Sequence, residues 1–568
     1  MTYLLTACFA AVPLLCWYLY KTAVRSRYQP YAHIPALPVH LLWGHGAAIA
    51  EFYKKAGGDF HYIFYDMAKS IGLPPMMLLD LRPFYYPLCL ICSHEVAEDI
   101  SKASKLLPYS VPKSPTLKDI DPLIGKFSII SAQGEDWKAL RKRYNPGFSP
   151  THLITLLPRI LEKTVLFIDR LNEFARIGEE FELERLCVDL TFDIIGAVVL
   201  DVDLGAQLSR VQQSSLVRSY RGLAETYYDA TGRASVTFNP LTYYHRWRLS
   251  RASDVAIKAV IREKFNELRD SGAQPERDPK SKARSVLALS LADVDALTPQ
   301  VLQVTADQIK SFLFAGHDTT SILLQWSIYE LFRSPRVLAT LRAELDGVFG
   351  PVGSIDQDPV VDILRSRGEE VIKRLSYLSA VIKEVLRLYP PGGTARRVPH
   401  GTNFYVHTAE GKDICLDGVV LYNCPFIIQR DPAVYGETKD DFVPERWLGI
   451  AGSSADVPDE ETKHVNPGGE VGVPPSAWRP FERGPRNCIG QELANLEARV
   501  ILAVAVRRFE FEKLGAGAVL RGQDGKTMID SKGQLVVKEE MFNTRQVTSK
   551  PFDSMRMKVH LRDMASGT

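Results

Sequence analysis

The chain has 568 residues, 46% of them apolar, and 69 basic side chains against 67 acidic ones. That length suits one large enzyme, and the apolar share is ample for a substantial core. A charge balance this even argues against a general nucleic-acid binder, local basic patches aside.

Residues 2–20 carry no charge and are mainly apolar. As a helix such a run spans roughly 28 Å, close to the hydrocarbon thickness of a bilayer. Lys21, Arg25 and Arg27 follow, and no basic residue precedes. The positive-inside rule then places the downstream chain in the cytosol. A cleaved signal peptide is the competing reading. It lacks a basic leader and a clear small-x-small cleavage site, and Trp17, Tyr18 and Tyr20 suit a membrane interface better. We therefore expect a transmembrane helix at 2–20. Residues 21–40, with Pro30, Pro35 and Pro38, read as a linker, either a stiff hinge or an ordinary connector. Residues 41–568 read as one large domain.

Short strand-like runs come early, at 76–81 and 87–91. Helical periodicity follows at 157–174, 183–200, 257–269, 305–332, 337–348 and 375–388. Residues 270–285 are polar and read as an exposed loop. After Pro390 the pattern turns to short strands, at 403–407 and 419–422. Residues 450–475 are rich in Gly, Pro, Ser and acid and read as a surface insertion. A last helix is expected from Gly490 to Phe509. The eight cysteines are sparse and form no disulfide framework. Cys89 and Cys92 make a C-x-x-C without a second pair or a histidine at zinc spacing, and read as small residues of a buried strand.

Four motifs carry chemistry. Trp137 and Arg141 lie one helical turn apart. Ala315-Gly316-His317-Asp318-Thr319-Thr320 falls in the middle of the long helix, where Gly and two β-branched threonines are poor helix formers. A local rule broken there marks function, because an i−4 hydroxyl back-bond or a helix end explains it less well. Glu384 and Arg387 share one helix face as E-x-x-R. Phe481-Glu482-Arg483-Gly484-Pro485-Arg486-Asn487-Cys488-Ile489-Gly490 places a cysteine just before a helix N-terminus, which favours its thiolate. Gly484 permits angles forbidden to other residues, and Arg486 offers a planar cationic fork.

The last segment reads F-x-x-G-x-R-x-C-x-G and resembles the haem-ligand loop of the cytochrome P450 family, where a cysteine thiolate binds the iron. The segment at 315–320 is similar to that family's A-G-x-D-T-T oxygen-activation motif. The resemblance covers nearly the full length and implies a mainly α fold with small peripheral β-sheets. It implies haem b with Cys488 as the axial metal ligand, Phe481 shielding the sulfur, and Gly490 letting the helix approach the macrocycle. Trp137, Arg141 and Arg486 would reach haem propionates, as would one of Arg396 and Arg397; the spacing after Gly392-Gly393 leaves open which. Asp318 and Thr319 would deliver protons, Gly316 would leave room for O2, and His317 would face away from the iron on the helix surface or behind the site. Glu384, Arg387 and Arg446 would form a structural ionic triad.

The pocket would include parts of 108–127, Phe312, Ala315, 392–395 and 546–549; Phe312 reads equally well as core. Few charges there imply a largely apolar ligand. The expected activity is monooxygenation with electrons from an NADPH–cytochrome P450 reductase, in the endoplasmic reticulum membrane. The sequence is similar to fungal members that tailor polyketides or terpenoids. Two alternatives stand: a haem-thiolate isomerase or dehydratase acting on a peroxide without external electrons, and a non-catalytic haem binder.

Overall fold

The structure, a computed structural model, describes residues 2–55, 60–227, 239–270, 284–352, 358–408, 411–448, 472–545 and 547–562. The loop expected at 270–285 and the insertion expected at 450–475 fall, apart from their ends, outside these residues. Helix α1 covers Thr2–Tyr28. It therefore takes in residues 21–28, which the sequence reading assigned to a linker. The reason is local: α1 accommodates Pro13, and no further proline comes until Pro30, whose ring also disfavours helical angles at the residue before it. Among the described residues no helix is long and apolar enough to cross a membrane. The side chains of residues 2–12, most of the expected span, lie outside the description.

The chain forms two compact units. One comprises Met1–Ser114 and Thr394–Ile428. Its centre is a four-stranded sheet in the order Met76–Leu79, Leu88–Ile91, Val420–Asn423, Thr394–Arg397. The middle pair is parallel and the outer pairs are antiparallel. Met76 to Leu79 are all buried, as near-continuous apolar runs covered on both faces should be. Cys89 lies on the second strand, and burial pushes its thiol up to about 12. Cys92 is buried nearby and is raised by the same cause. These are inert packing thiols, as their spacing suggested.

The other unit comprises Pro115–Gly393 and Gln429–Thr568 and is mostly helical. The helices used below are α2 (Gly134–Tyr144), α3 (Leu157–Ile177), α4 (Leu183–Ile195), α5 (Pro299–Arg333), α6 (Ser376–Leu388) and α7 (Gln491–Arg508). Small antiparallel sheets flank them, one of Phe181–Glu182, Arg556–Leu561 and Phe509–Lys513, another of Asn543–Arg545 and Ser549–Pro551. The chain is thus mainly α with small sheets.

Helix α5 begins at Pro299, whose missing N–H costs nothing at a first turn, and Thr298 caps it by accepting from Val301 N at 3.3 Å. It runs to Ser334-Pro335, about 52 Å at 1.5 Å per residue. Helix α4 packs along it. The periodicity predicted one helix to Leu200, but regular winding stops at Ile195 and a wider π turn takes Gly196–Leu200. Gly196 explains the change: a Cβ there would meet Leu204 Cδ1 at 2.5 Å, where the chain folds back across it. The helix expected at 257–269 extends back to Pro240, because its first turns carry the exposed Tyr243, Tyr244 and Trp247, which hide the apolar period.

Candidate active site

Cys488 sits where a tight loop delivers the chain into α7. Glu482 and Gly484 both take positive φ, 56° and 72°. Cys488 N donates to Phe481 O at 2.8 Å and Asn487 N to Gly484 O at 3.1 Å, so the loop closes on itself. Gly490 is the N-cap and supplies no side-chain cap. No N-cap side chain therefore competes for the first N–H groups of α7, whose positive end lies beside the sulfur and favours a thiolate. Cys488 is exposed, whereas Cys89, Cys92, Cys187 and Cys424 are buried. A Cβ at Gly490 would touch only Cys488 Sγ, at 3.9 Å.

Helix α2 brings its two residues to this loop. Arg141 donates from Nη1 to Asn487 O and from Nη2 to Asn487 Oδ1, both at 2.8 Å. Burial lowers the Arg141 guanidinium below its usual value, and the Cys488 sulfur is close enough to oppose that. The Arg486 guanidinium lies 4.8 Å over the ring of the buried Trp137. Trp137, Arg141, Arg486 and Cys488 thus form one cluster, and Phe481 packs edge-on against Trp478 at 6.0 Å beside it. Arg396 and Arg397 lie on a strand of the first unit. Arg396 is fully buried and donates to Ser110 Oγ at 2.7 Å and Val111 O at 2.8 Å. Arg397 is half-buried and donates to Gly418 O at 3.2 Å.

Helix α5 packs against α7. Of residues 305–331, only Ala315, Gly316 and Thr319 are not buried. At i, i+1 and i+4 these mark one accessible stripe in an otherwise enclosed helix. Thr319 Oγ1 donates to Ala315 O at 2.7 Å, so the hydroxyl does make the i−4 back-bond and presents its lone pairs outward. Gly316 has a packing reason as well: a Cβ there would meet Ile195 Cδ1 of α4 at 2.6 Å. Beside it, Thr191 of α4 donates to His317 O at 2.8 Å. His317 is turned into the interior, bonded through Nδ1 to Leu313 O and 4.9 Å from the Phe192 ring. It is not on the helix surface. Phe312 is core, with edge contacts to Tyr144 at 5.1 Å and Phe148 at 5.0 Å. Gln546 lies outside the described residues.

Asp318 is buried. Thr548 Oγ1 donates to its Oδ2, and Lys550 Nζ lies 3.1 Å from Oδ1. Burial pushes the carboxyl up, but the Lys550 ammonium and the Thr548 hydroxyl together hold it below the ordinary value. Lys550 also reaches Glu184 at 3.0 Å, a residue nearer the surface. The sequence reading put Thr548 within the pocket segment 546–549 but did not find its bond to Asp318, and it did not find Lys550, since nothing in their local pattern ties them to a helix 230 positions earlier.

Glu384 and Arg387 are both fully buried and paired at 2.8 and 2.9 Å. Arg446 Nε and Val443 N also donate to Glu384, each at 3.0 Å. Arg387 donates onward to Gln429 O, Lys439 O and Asp441 O. Gln429 completes the support. Its Nε2 donates to Arg387 O at 2.8 Å while its Oε1 accepts from Arg479 N at 2.7 Å, just before the cysteine loop. Glu497 on α7 is likewise a buried carboxyl absent from the sequence reading; burial raises it well above its ordinary value, with Thr320 beside it.

An exposed thiol at a helix N-terminus without a side-chain cap, a bare glycine surface beside it, two guanidiniums and an accessible stripe on the facing helix fit a flat, anionic, iron-bearing macrocycle. The cytochrome P450 family model matches residues 35–537. The chain belongs to the cytochrome P450 family. It is 32% identical over 499 residues to cytochrome P450 monooxygenase acrF of Aspergillus aculeatus, covering 86% of this chain and 95% of that one. It is 30% identical to cytochrome P450 monooxygenase polC of Polytolypa hystricis, covering 88% and 86%. Human cytochrome P450 4V2 is 27% identical, covering 81% of each. The crystal structure of the cytochrome P450DA heme domain shares the fold, with a TM-score of 0.64 at 19% identity over 93% of this chain and 98% of that one. The protein is therefore an oxidoreductase of the P450 monooxygenase class, and its family implies haem.

Proposed function

We propose that this P450 inserts one atom of O2 into a largely apolar organic substrate, using electrons from NADPH passed by a membrane-bound reductase. The observation that carries this is the pairing of Cys488, exposed just before the N-terminus of α7, with the accessible stripe of Ala315, Gly316 and Thr319 on α5. Haem held through Cys488 would supply the redox chemistry that activates O2. The chain's own residues do the rest. Trp137, Arg141 and Arg486 would hold its propionates, and Asn487 keeps Arg141 aimed. By the family resemblance, one of Arg396 and Arg397 would take a like role. Phe481 keeps water from the sulfur. The Thr319 hydroxyl donates to Ala315 O and presents its lone pairs to the reacting oxygen or an ordered water. The Asp318 carboxylate takes protons from the Lys550 ammonium, and Glu184 connects Lys550 toward solvent.

The apolar run at 2–20 would anchor the protein in the endoplasmic reticulum membrane with its catalytic domain cytosolic. The fungal origin of the two relatives named above supports a polyketide or terpenoid as substrate. The test is spectroscopic. The reduced holoenzyme under carbon monoxide should show the red-shifted band of thiolate ligation, and Cys488→His should abolish it while retaining haem. A folded, haem-loaded wild type without that band overturns the reading.

A further inference from the structure

Arg27, near the end of α1, makes more than an ordinary surface contact. Its Nε donates to Asp80 Oδ2 at 2.7 Å, Nη1 to Leu41 O at 2.5 Å and Nη2 to Arg82 O at 2.6 Å. Arg82 answers from Nη2 to Arg27 O at 2.7 Å and from Nε to Asp80 Oδ1 at 2.9 Å. Asp80 is the hub and is almost fully buried. His45 braces it from behind, its Nδ1 accepting from Asp80 N at 2.7 Å and its own N donating to Asp80 O at 2.8 Å. Gly44, at φ 57°, is required here, because a Cβ would lie 2.0 Å from Asp80 O. Two charged arginines around one buried carboxylate, with every lone pair used, fix α1 to the turns at 41–45 and 80–84. The end of α1 is not a free tether.

Those two turns carry a bare apolar surface. The rings of Trp43 and Phe84 stack at 5.8 Å and 14°, yet are 53% and 78% exposed. Leu42, Tyr85 and Tyr86 beside them are exposed too. Large aromatics left in water at adjoining turns mark a contact surface, and Trp and Tyr are the side chains that favour the membrane–water boundary. Arg27 follows Tyr20 by a rise of about 10 Å along the helix, comparable with a headgroup layer of about 7 Å plus a side chain's reach.

We propose that the Arg27–Asp80–Arg82 clamp holds Leu42, Trp43 and Phe84 in the headgroup layer of the bilayer that α1 enters. This rests on the anchor reading above and adds a second, rigidly placed membrane contact to it. The clamp turns one hydrophobic helix into an oriented foot, because the aromatic lip cannot swing away from the helix it is bonded to.

The experiment uses the full-length holoenzyme in lipid nanodiscs containing a phosphatidylcholine with a photoreactive diazirine near the ester end of its acyl chain. Adducts are mapped by mass spectrometry. Adducts are expected on α1 and at 42–43 and 84. In Asp80→Asn, with its haem spectrum intact, adducts on α1 should persist while those at 42–43 and 84 fall several-fold. Arg27→Gln should behave alike and serves if Asp80→Asn does not fold. No adducts on α1 would defeat the anchor reading itself. Adducts on α1 but none at 42–43 or 84 in the wild type would overturn this proposal alone, as would unchanged lip labelling in both variants. Protection of the lip in detergent that grows with protein concentration would assign it to a second copy instead, and would also overturn it.

Discussion

Lys550 and Asp318 form a buried ion pair at 3.1 Å that ties the strand Ser549–Pro551 to the middle of α5. Asp318 lies about 100° around the helix from Thr319, so the carboxylate and the hydroxyl face different directions. The acid is thereby held on the side of Lys550, and the hydroxyl on the accessible side.

Lys550→Met should leave that carboxylate buried and unpartnered by charge, at a cost of about 3–5 kcal/mol. The pH dependence follows from the direction of the shift. Paired, the carboxyl sits below its ordinary 3.8, so its contribution is fully present above that value and is lost as pH falls through the lower folded one. Without Lys550, burial dominates and raises the carboxyl. The variant's deficit should then grow as pH rises from 3.8 toward neutrality. Chemical denaturation of both proteins between pH 4 and 7 reads it, and a flat difference would show that Lys550 does not hold the charge.

Glu384→Gln keeps the shape of the triad and removes its only anion. Arg387, fully buried, would then face neutral partners alone. The expected loss is about 3–5 kcal/mol, larger than for a surface pair by the full desolvation of the guanidinium. Unfolding of the haem-loaded protein in urea measures it. Glu384→Gln paired with Arg387→Met should recover much of the loss, since removing both charges removes the stranded one.

Much of this site was legible because family motifs are local. Cys488, Arg486, Trp137, Arg141 and the Glu384–Arg387 pair each declared themselves by short spacing, and the structure gathers them. The elements followed the same logic: α6 carries a strong period, α5 and α6 stop just before Pro335 and Pro390, and α7 starts just after Gly490. The unread residues act at long range. Lys550, Gln429 and Glu497 are single polar side chains whose partners lie on other elements, so no periodicity points to them. The end of α1 was misread for a related reason. Basic and proline residues look like a linker, but the prolines begin only at Pro30, and Arg27 gains its partners from turns distant in sequence.

Gly316→Ala separates packing from oxygen access. Ala favours a helix by about 0.8–1 kcal/mol over Gly, yet overpacking costs about 1–3 kcal/mol. With Ile195 Cδ1 at 2.6 Å and Cγ1 at 2.9 Å from the new methyl, the variant should be destabilised. In an Ile195→Ala background those atoms are gone, and Gly316→Ala should become stabilising by up to about 1 kcal/mol. Thermal melts of the four proteins form the cycle. The same sign in both backgrounds would show that α4 does not explain the glycine.

Thr319→Ala tests the hydroxyl apart from the fold. The side chain is half-buried and its hydroxyl donates only to Ala315 O of its own helix, so stability should change by less than about 1 kcal/mol. Proton delivery should suffer instead: NADPH consumption continues while product falls and reduced oxygen species accumulate. Thr319→Ser should retain coupling. Measuring NADPH, product and peroxide together distinguishes this from simple loss of binding, and full coupling in the alanine variant would remove the proton role.

Gln429→Leu addresses how the cysteine loop is held. The amide bridges Arg387 O and Leu386 O to Arg479 N, so an apolar isostere strands three buried backbone groups. Each stranded group costs about 1–3 kcal/mol. The consequence reaches the sulfur because Arg479 also pairs with Glu482 at 2.9 Å, inside the loop that ends at Cys488. The variant should fold less stably and release haem faster to an apo-globin acceptor, whereas a mutation that only weakened α6 would lower stability without changing the haem transfer rate below the unfolding transition. Gln429→Glu supplies the acceptor oxygens but no amide donor, so Arg479 N should stay satisfied and haem release should lie between wild type and Gln429→Leu.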